Sequence, residues 1–439
     1  LPWPVAVFGL FVFSAWTAVP FGLWTLGVSR GPERGALAIA WPLVLWTALV
    51  EVWPALFPYT VVIGLAEAAP WIQAAELGGV PLVAGQVLLV GLLVGDAMLG
   101  LGGSGSRRDR ITRVAIAAAV PVASWLLGQW RLSQIDAEEA TARRVRVGIV
   151  QPNPALGAID TGDRMLRLRV MSRMAAEEGA QLLVWPEAGA FPFRTRRPFV
   201  RDFPDPYRSV LAGHRLPTIF GAGSYGPESR WEYNTVYAMA ADGTVSGSFD
   251  KTILVPFGER VPLVDPAWAI RHVPTMAHNN AGEAPARFVV QPAATPADPT
   301  PAPLVAGPLI CYEDIFAGFA HEVATQPGGV ELFVNVTIDT WFGVTAEPWE
   351  HLALAQLRSV EHRIPMVRSV AAGVSTVVDT GGRVVAHIPV RGPTIEQPVP
   401  PEHLVYDVAL PRSTEDRPTI FARVGWLLPW LCEAIVLGV

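Results

Sequence analysis

Charge is scarce in this chain. Of its 439 residues only 16% are Asp, Glu, Lys or Arg, where a soluble domain ordinarily carries about a quarter. The net charge is −6 and no basic run is dense enough to follow a phosphate backbone, which excludes nucleic acid as a partner. Cysteine is nearly absent: Cys311 and Cys432 are the two present. A disulfide framework is therefore not expected. Neither thiol stands in a metal-ligand spacing, so no metal and no cofactor is expected. No period of 20–50 residues recurs, which excludes a repeat architecture. The first segment has neither a basic n-region nor a small-residue cleavage site and does not read as a signal peptide. With Leu1 at its start, the chain is expected to begin inside a longer protein.

What is abundant is apolar sequence, 51% of the chain, and it is unevenly spread. It concentrates before residue 131 and after residue 423. The expected organisation is a transmembrane helical bundle over 1–130, a soluble α/β domain over 131–423 and a C-terminal transmembrane segment over 424–439. Residues 5–28 hold no charge, enough to cross about 30 Å of hydrocarbon at about 1.5 Å per residue. Further spans are expected over 36–58, broken by Glu51, over 80–102, with Asp96 inside, and over 111–130. Between them 59–79 is interrupted by Pro70 and Gly78-Gly79 and reads as a short re-entrant segment. Glu51, Glu67 and Asp96 are costly in lipid and are expected to sit near the interface or bond between helices, the alternative being a role in gripping a polar head group.

Arg30 and Arg34 lie between the first two spans, and Arg107, Arg108, Arg110 and Arg113 precede the fourth. The positive-inside rule makes both loops cytoplasmic and puts 131–423 on the opposite face, the periplasm in a Gram-negative cell. Trp41, Trp46, Trp53, Trp71, Trp125 and Trp130 cluster near the expected span ends, as interfacial belts do. Paired inverted repeats are lacking, a poor fit to a transporter.

From residue 145 short apolar runs alternate with amphipathic ones. Strands are expected at 145–151, 181–185, 217–224, 235–239 and 245–249, the last two joined at Asp242-Gly243. A helix is expected over about 160–178 and a mobile Pro/Ala-rich loop over 285–303. Strand 304–310, helix 314–325, strand 332–337 and helix 348–363 follow, then strands at 366–370, 374–379, 383–388 and 403–408. This alternation argues for a layered α/β sandwich.

Three of these strands end on reactive side chains: Glu187 in Trp185-Pro186-Glu187, Lys251 after Asp250, and Cys311 after Ile310. A thiol with its ordinary pKa near 8.5 is mostly protonated at neutral pH and needs a base or a positive field. Glu187 can supply the first and Lys251 the second. Taken singly, a buried cysteine is a core filler, a Trp-Pro-Glu a turn, and a lysine after a strand solvated. Together they describe acyl transfer through a thioester.

The set Trp185-Pro186-Glu187, Lys251 with Leu254-Val255-Pro256-Phe257-Gly258-Glu259, and Ile310-Cys311-Tyr312-Glu313 resembles the nitrilase (CN-hydrolase) superfamily. With its flanking spans the chain is similar, over essentially its whole length, to the apolipoprotein N-acyltransferase family within it. Gln151-Pro152-Asn153, Tyr233-Asn234-Thr235, Asp339-x-Trp341-Phe342-Gly343, His351-Leu352, Arg358, Glu361-x-Arg363-x-Pro365 and Ala422-Arg423-x-Gly425 extend the likeness. The first span resembles the fourth of the family's eight.

The resemblance implies an αββα sandwich and a multi-pass protein of the bacterial inner membrane with its catalytic domain in the periplasm. It implies a ping-pong transfer of an acyl chain from a phospholipid, through a Cys311 thioester, to the N-terminal amine of a diacylated lipoprotein. Glu187 would be the base, Lys251 the oxyanion stabiliser, and Glu259, Tyr312 and Glu313 supporting residues. Trp341 and Asn234 are candidate substrate contacts. Departures are Ile338 before Asp339, the stretch Ser369-Val370-Ala371-Ala372-Gly373 after Arg368, and segment 59–79. The alternatives are a membrane-tethered nitrilase-type amidase, a diverged paralogue with another acyl acceptor, and a non-catalytic membrane scaffold.

Overall fold

A computed structural model of the chain describes residues 3–32, 35–58, 60–99, 107–154, 161–262, 264–272, 278–390 and 399–438. Arg34, Tyr59 and residues 100–102 of the third expected span lie outside them. Two compact units result: residues 1–132 with 420–439, and residues 133–419.

In the first unit three helices are long and apolar enough to cross a membrane, Ala6–Ser29, Ala75–Leu99 and Arg107–Thr141, with shorter apolar helices at Ala36–Val52 and Gly425–Leu437. The second expected span stops at Val52 rather than 58. Pro54 and Pro58 lack the N–H a helix needs and push the preceding residue out of helical geometry. Segment 59–79 forms the short turns Ile63–Leu65 and Ala69–Ile72, with Val62 and Ile72 buried. The following helix is kinked where Gly79 takes φ 68°, a conformation glycine adopts at little cost. Asp96 pairs with Arg113, so this carboxylate is bonded between helices. Arg131 grips Glu76 with two nitrogens, at 2.7 and 2.8 Å. The fourth helix runs on to Thr141, past the expected end at 130. Arg131-Leu-Ser-Gln-Ile-Asp-Ala-Glu-Glu-Ala-Thr141 contains no glycine or proline, and most of it favours helix.

The second unit is built on two sheets. The first runs, in spatial order, Glu402–Leu410, Arg143–Gln151, Leu182–Val184, Thr218–Tyr225, Glu232–Met239 and Val245–Asp250, with two-residue strands Thr195–Arg196 and Asn279–Asn280 attached. The second runs Val384–His387, Thr376–Val378, Met366–Val370, Leu332–Thr337, Leu304–Ile310 and Phe288–Val290. Alternation along the strands sorts the side chains by face. Val145, Val147 and Ile149 share one core with Leu304, Ala306, Val334, Val336 and Val367 of the other sheet, while Val150 joins a separate cluster with Leu168, Met171 and Trp185. Helix Thr161–Glu177 covers the first sheet, and Ala317–Ala324 with Glu347–His362 supply the helices beside the second. This is the αββα sandwich.

The 285–303 stretch differs from the loop expected of its composition. Phe288–Val290 pairs antiparallel with Leu304–Ile310, and Ala293 donates its N–H to Gln181 O at 2.8 Å. Phe288 and Val290 both point inward, a period-two signal too short to stand out among the prolines. The expected helix over 314–325 divides into a tight turn Cys311–Ile315 and the helix Ala317–Ala324.

The turn that presents Glu187 lies flat against strand Thr218–Tyr225. Gly221 donates to Pro186 O at 3.0 Å, and a Cβ at Gly221 would come within 2.6 Å of Glu187 Cα. Gly221→Ala is therefore expected to destabilise the chain by about 1–3 kcal/mol through overpacking and to displace Glu187. A thermal scan in detergent, read beside activity, checks it; unchanged values in both would refute the tight approach.

Candidate active site

In each sheet the parallel strands end on the same edge, and the chemistry lies just beyond their carboxyl ends, where open α/β sheets hold their ligands. Leu182–Val184 leads to Glu187, and Leu304–Ile310 leads to Cys311. Lys251 follows Val245–Asp250, and the antiparallel register sets Asn234 against it, Lys251 N–H donating to Asn234 O at 2.8 Å. Trp185 anchors the Glu187 turn from below: it is fully buried and its indole N–H donates to Ser172 Oγ at 2.8 Å.

Lys251 is the sole lysine in a chain whose every other side-chain cation is arginine or histidine. Its ammonium is 1% exposed and lies 3.3 Å from Glu187 Oε1 and 3.0 Å from Glu259 Oε1. Asn234 donates to the same Glu187 oxygen at 2.6 Å and to Glu259 Oε1 at 3.4 Å. Glu259 Oε2 accepts Val255 N–H at 2.8 Å, which closes the loop after Lys251 back on itself. Burial opposes the lysine's charge, yet Glu187, Cys311 and Glu259 together raise its pKa above the ordinary value. Burial likewise raises Glu187 against the lowering field of Lys251, making this carboxylate a stronger base than a solvated one.

Cys311 takes φ 50°, a left-handed conformation rare for a residue with a Cβ. Such strain is tolerated where the surroundings over-determine it, and Glu313 does so here. Its two carboxylate oxygens accept Ile310 N–H at 2.8 Å, Thr252 N–H at 2.6 Å and Ile253 N–H at 3.2 Å. One buried side chain thus ties the cysteine turn to the lysine loop. Burial carries its pKa up to about 8 despite those donors. The Cys311 thiol is itself raised, first by burial and then by Glu187, with Lys251 pulling the other way. At rest it is a protonated thiol that needs its base. Tyr312 is raised to about 12 by burial, against Lys251, and its ring meets Phe316 edge-on at 4.9 Å.

The structure thus joins Glu187, Lys251, Glu259 and Asn234 directly, couples Cys311 electrostatically to Glu187 and Lys251, and links Glu313 to both loops. The Asn234 amide N–H groups face carboxylates, so its first task is to orient them; its Oδ1 is buried with no hydrogen-bond partner among the described residues. The side chain of Trp341 lies outside the described residues.

A second ionic cluster sits behind the thiol. Arg368 Nη1 donates to Asp314 Oδ2 at 2.6 Å and Asn335 Oδ1 at 2.9 Å, and its Nη2 to Asp339 Oδ2 at 3.1 Å. His351 bridges the same two carboxylates, Nε2 to Asp314 Oδ1 at 2.9 Å and Nδ1 to Asp339 Oδ1 at 3.2 Å. Asp339, His351 and Arg368 were visible in sequence only as motif positions, and Asp314, Asn335 and Thr337 not at all. Their signal is polarity out of place: Arg368 and Asn335 interrupt largely apolar, fully buried strands.

The carbon-nitrogen hydrolase family matches residues 146–396. An apolipoprotein N-acyltransferase from Rhodopseudomonas palustris is 30% identical over 99% of this chain and 78% of its own length. The chain belongs to the apolipoprotein N-acyltransferase family. Another member, from Gloeobacter violaceus, is 32% identical over 87% of this chain and 70% of its own. Among solved structures, an amidase from Nesterenkonia sp. is similar at 18% identity and a TM-score of 0.42, covering 63% of this chain and 94% of that one. Family membership makes this chain an enzyme of acyltransferase type with a carbon-nitrogen hydrolase domain.

The second cluster predicts a pH dependence. Burial and Arg368 oppose a charge on His351, and Arg368 Nη2 stands 2.8 Å from Nδ1, a contact suited to a neutral ring. Two buried carboxylates need two cations, however, and Asp314 and Asp339 lift His351 to about 9. A pKa raised above the unfolded 6.5 contributes stability that is full below pH 6.5 and lost as pH climbs through about 9. The melting temperature in detergent is expected to fall across that window, and His351→Gln to flatten the fall. An equally steep decline in the variant would refute it.

Proposed function

We propose that this chain moves an acyl chain from a phospholipid to the α-amine of a diacylglyceryl-cysteine at a lipoprotein's N-terminus, with Glu187, Lys251 and Cys311 as catalytic residues. One observation carries the reading: a thiol flanked by a buried carboxylate and a buried ammonium belongs to the same chain as three helices long enough to span a bilayer. A soluble amide substrate calls for no such helices, whereas a lipid ester does.

In the first half-reaction Glu187 accepts the Cys311 proton and the thiolate attacks the ester carbonyl carbon. The tetrahedral oxyanion is stabilised by Lys251. Collapse breaks the C–O bond, and the lysophospholipid leaves as an alcohol with the proton from Glu187. In the second half the lipoprotein amine attacks the thioester, Glu187 takes a proton from the nitrogen, and the C–S bond breaks. Sulfur recovers the proton and an amide is released. Asn234 Oδ1 is suited to accept an N–H of the incoming amine. Tyr312 and Glu313 frame the nucleophile, and Trp341 is assigned to the acyl path from its motif. The charge pattern supports an inner-membrane protein with residues 131–423 on the periplasmic side.

Incubation with a labelled phospholipid followed by intact-mass analysis tests the mechanism. The wild-type chain is expected to gain one acyl group, and Cys311→Ala none. Glu187→Gln should block acylation. Lys251→Ala should slow it about 10²–10³-fold, the usual size of a lost oxyanion contact. A normal adduct on the alanine variant of Cys311 would eliminate the thioester.

A further inference from the structure

The thiol has a neighbour that the Glu187–Lys251–Cys311 mechanism leaves idle. Strands Leu304–Ile310 and Leu332–Thr337 run parallel with Val336 opposite Ile310, which sets Thr337 beside Cys311. Thr337 is fully buried, and its hydroxyl makes two contacts. It lies 3.2 Å from Asp339 Oδ1, to which it donates, and it stands close enough to the Cys311 sulfur to favour a thiolate there. A hydroxyl has one proton to give and lone pairs to receive with. Asp339 stays ionised, its pKa held down to about 2 by Arg368 and His351 against burial, so it competes for that proton as an acceptor and not as a base.

We propose that Thr337 is a further catalytic residue of this site, its hydroxyl turning from the Asp339 carboxylate to the Cys311 sulfur when the thiol becomes a thiolate. At rest the O–H donates to Asp339. When Glu187 removes the sulfur's proton, the O–H swings onto the sulfur, and no second proton changes owner. Once the thioester forms, sulfur is a poor acceptor and the O–H returns to Asp339. Asp339 acts through Thr337 and is a positioning residue, kept in place by Arg368, His351 and Gly373, whose missing Cβ would stand 3.0 Å from Asp339 Cβ. The charged groups acting on the sulfur are Glu187, Lys251, Asp339 and Arg368, and they stay constant in the comparison that follows.

This inference rests on Cys311 being the nucleophile, and its test needs no lipid. In the full chain with Cys432→Ala, which leaves Cys311 as its one thiol, the iodoacetamide alkylation rate is followed against pH. Thr337→Val keeps the shape and removes the hydroxyl. Its alkylation midpoint is expected to rise by about one pH unit, a roughly tenfold slower reaction at fixed pH below the midpoint. Thr337→Ser should restore the wild-type curve. If Thr337→Val fails to fold by its melting profile, Thr337→Ala gives the same reading. A midpoint unmoved by loss of the hydroxyl, or moved as far by serine, overturns the proposal. A chain that shows the shift yet takes no acyl group from phospholipid would remove the function proposed above and leave this role intact.

Discussion

A single ammonium taken wholly out of water is what the catalytic unit is arranged around. An isolated buried lysine shifts its pKa downward by several units and goes neutral. Here Glu187 and Glu259 are both within hydrogen-bond reach of Lys251, and the ammonium persists. The same pairing governs the carboxylates, which would otherwise protonate in so apolar a place. Removing the lysine leaves two buried carboxylates uncompensated, the expensive way to break a buried ion pair. An arginine would not serve: its planar fork suits bidentate pairing, whereas a compact ammonium meets two carboxylates and a developing oxyanion from one point. That the chain retains one lysine, at this position, fits that geometric demand.

Holding three strand ends in register is a separate problem, solved by the backbone. Gly221 permits the Glu187 turn to lie on the sheet, and the Glu232–Met239 hairpin sets Asn234 beside Lys251. Glu313 then spends both its oxygens on backbone N–H groups from two segments far apart in sequence. The left-handed Cys311 backbone is strained in isolation, and this clamp holds it while giving all three N–H groups an acceptor. Position and protonation are thus controlled by different side chains.

The sandwich was legible in sequence because alternation along the buried strands is strong, and the three reactive residues because each closes such a strand. Two kinds of feature were not. Element ends depend on local punctuation, so Pro54 and Pro58 shortened one membrane helix, while their lack after Arg131 let another run to Thr141. Burial of charge was the second. Asp314, Asn335 and Thr337 are ordinary polar residues until the fold closes over them, and only then does their common focus on Asp339 and Arg368 exist. Strand Phe288–Val290 escaped for a related reason: three residues carry too few alternations to be told from their proline-rich surroundings.

Each of the two ionic clusters acts on the sulfur in both directions. Lys251 and Arg368 favour negative charge on it; burial, Glu187 and Asp339 disfavour it. A thiol set in such a balance is protonated at rest and becomes a thiolate only when its proton has somewhere to go. Such a thiol is also protected, because thiols are oxidised as thiolates. The same balance gives the burial of Glu187 a reason. A solvated carboxylate would be too weak to take a proton from so reluctant a thiol, and raising Glu187 by desolvation narrows that gap. The chemistry therefore asks the fold for dryness on both sides of the sulfur, and two sheets packed face to face supply it.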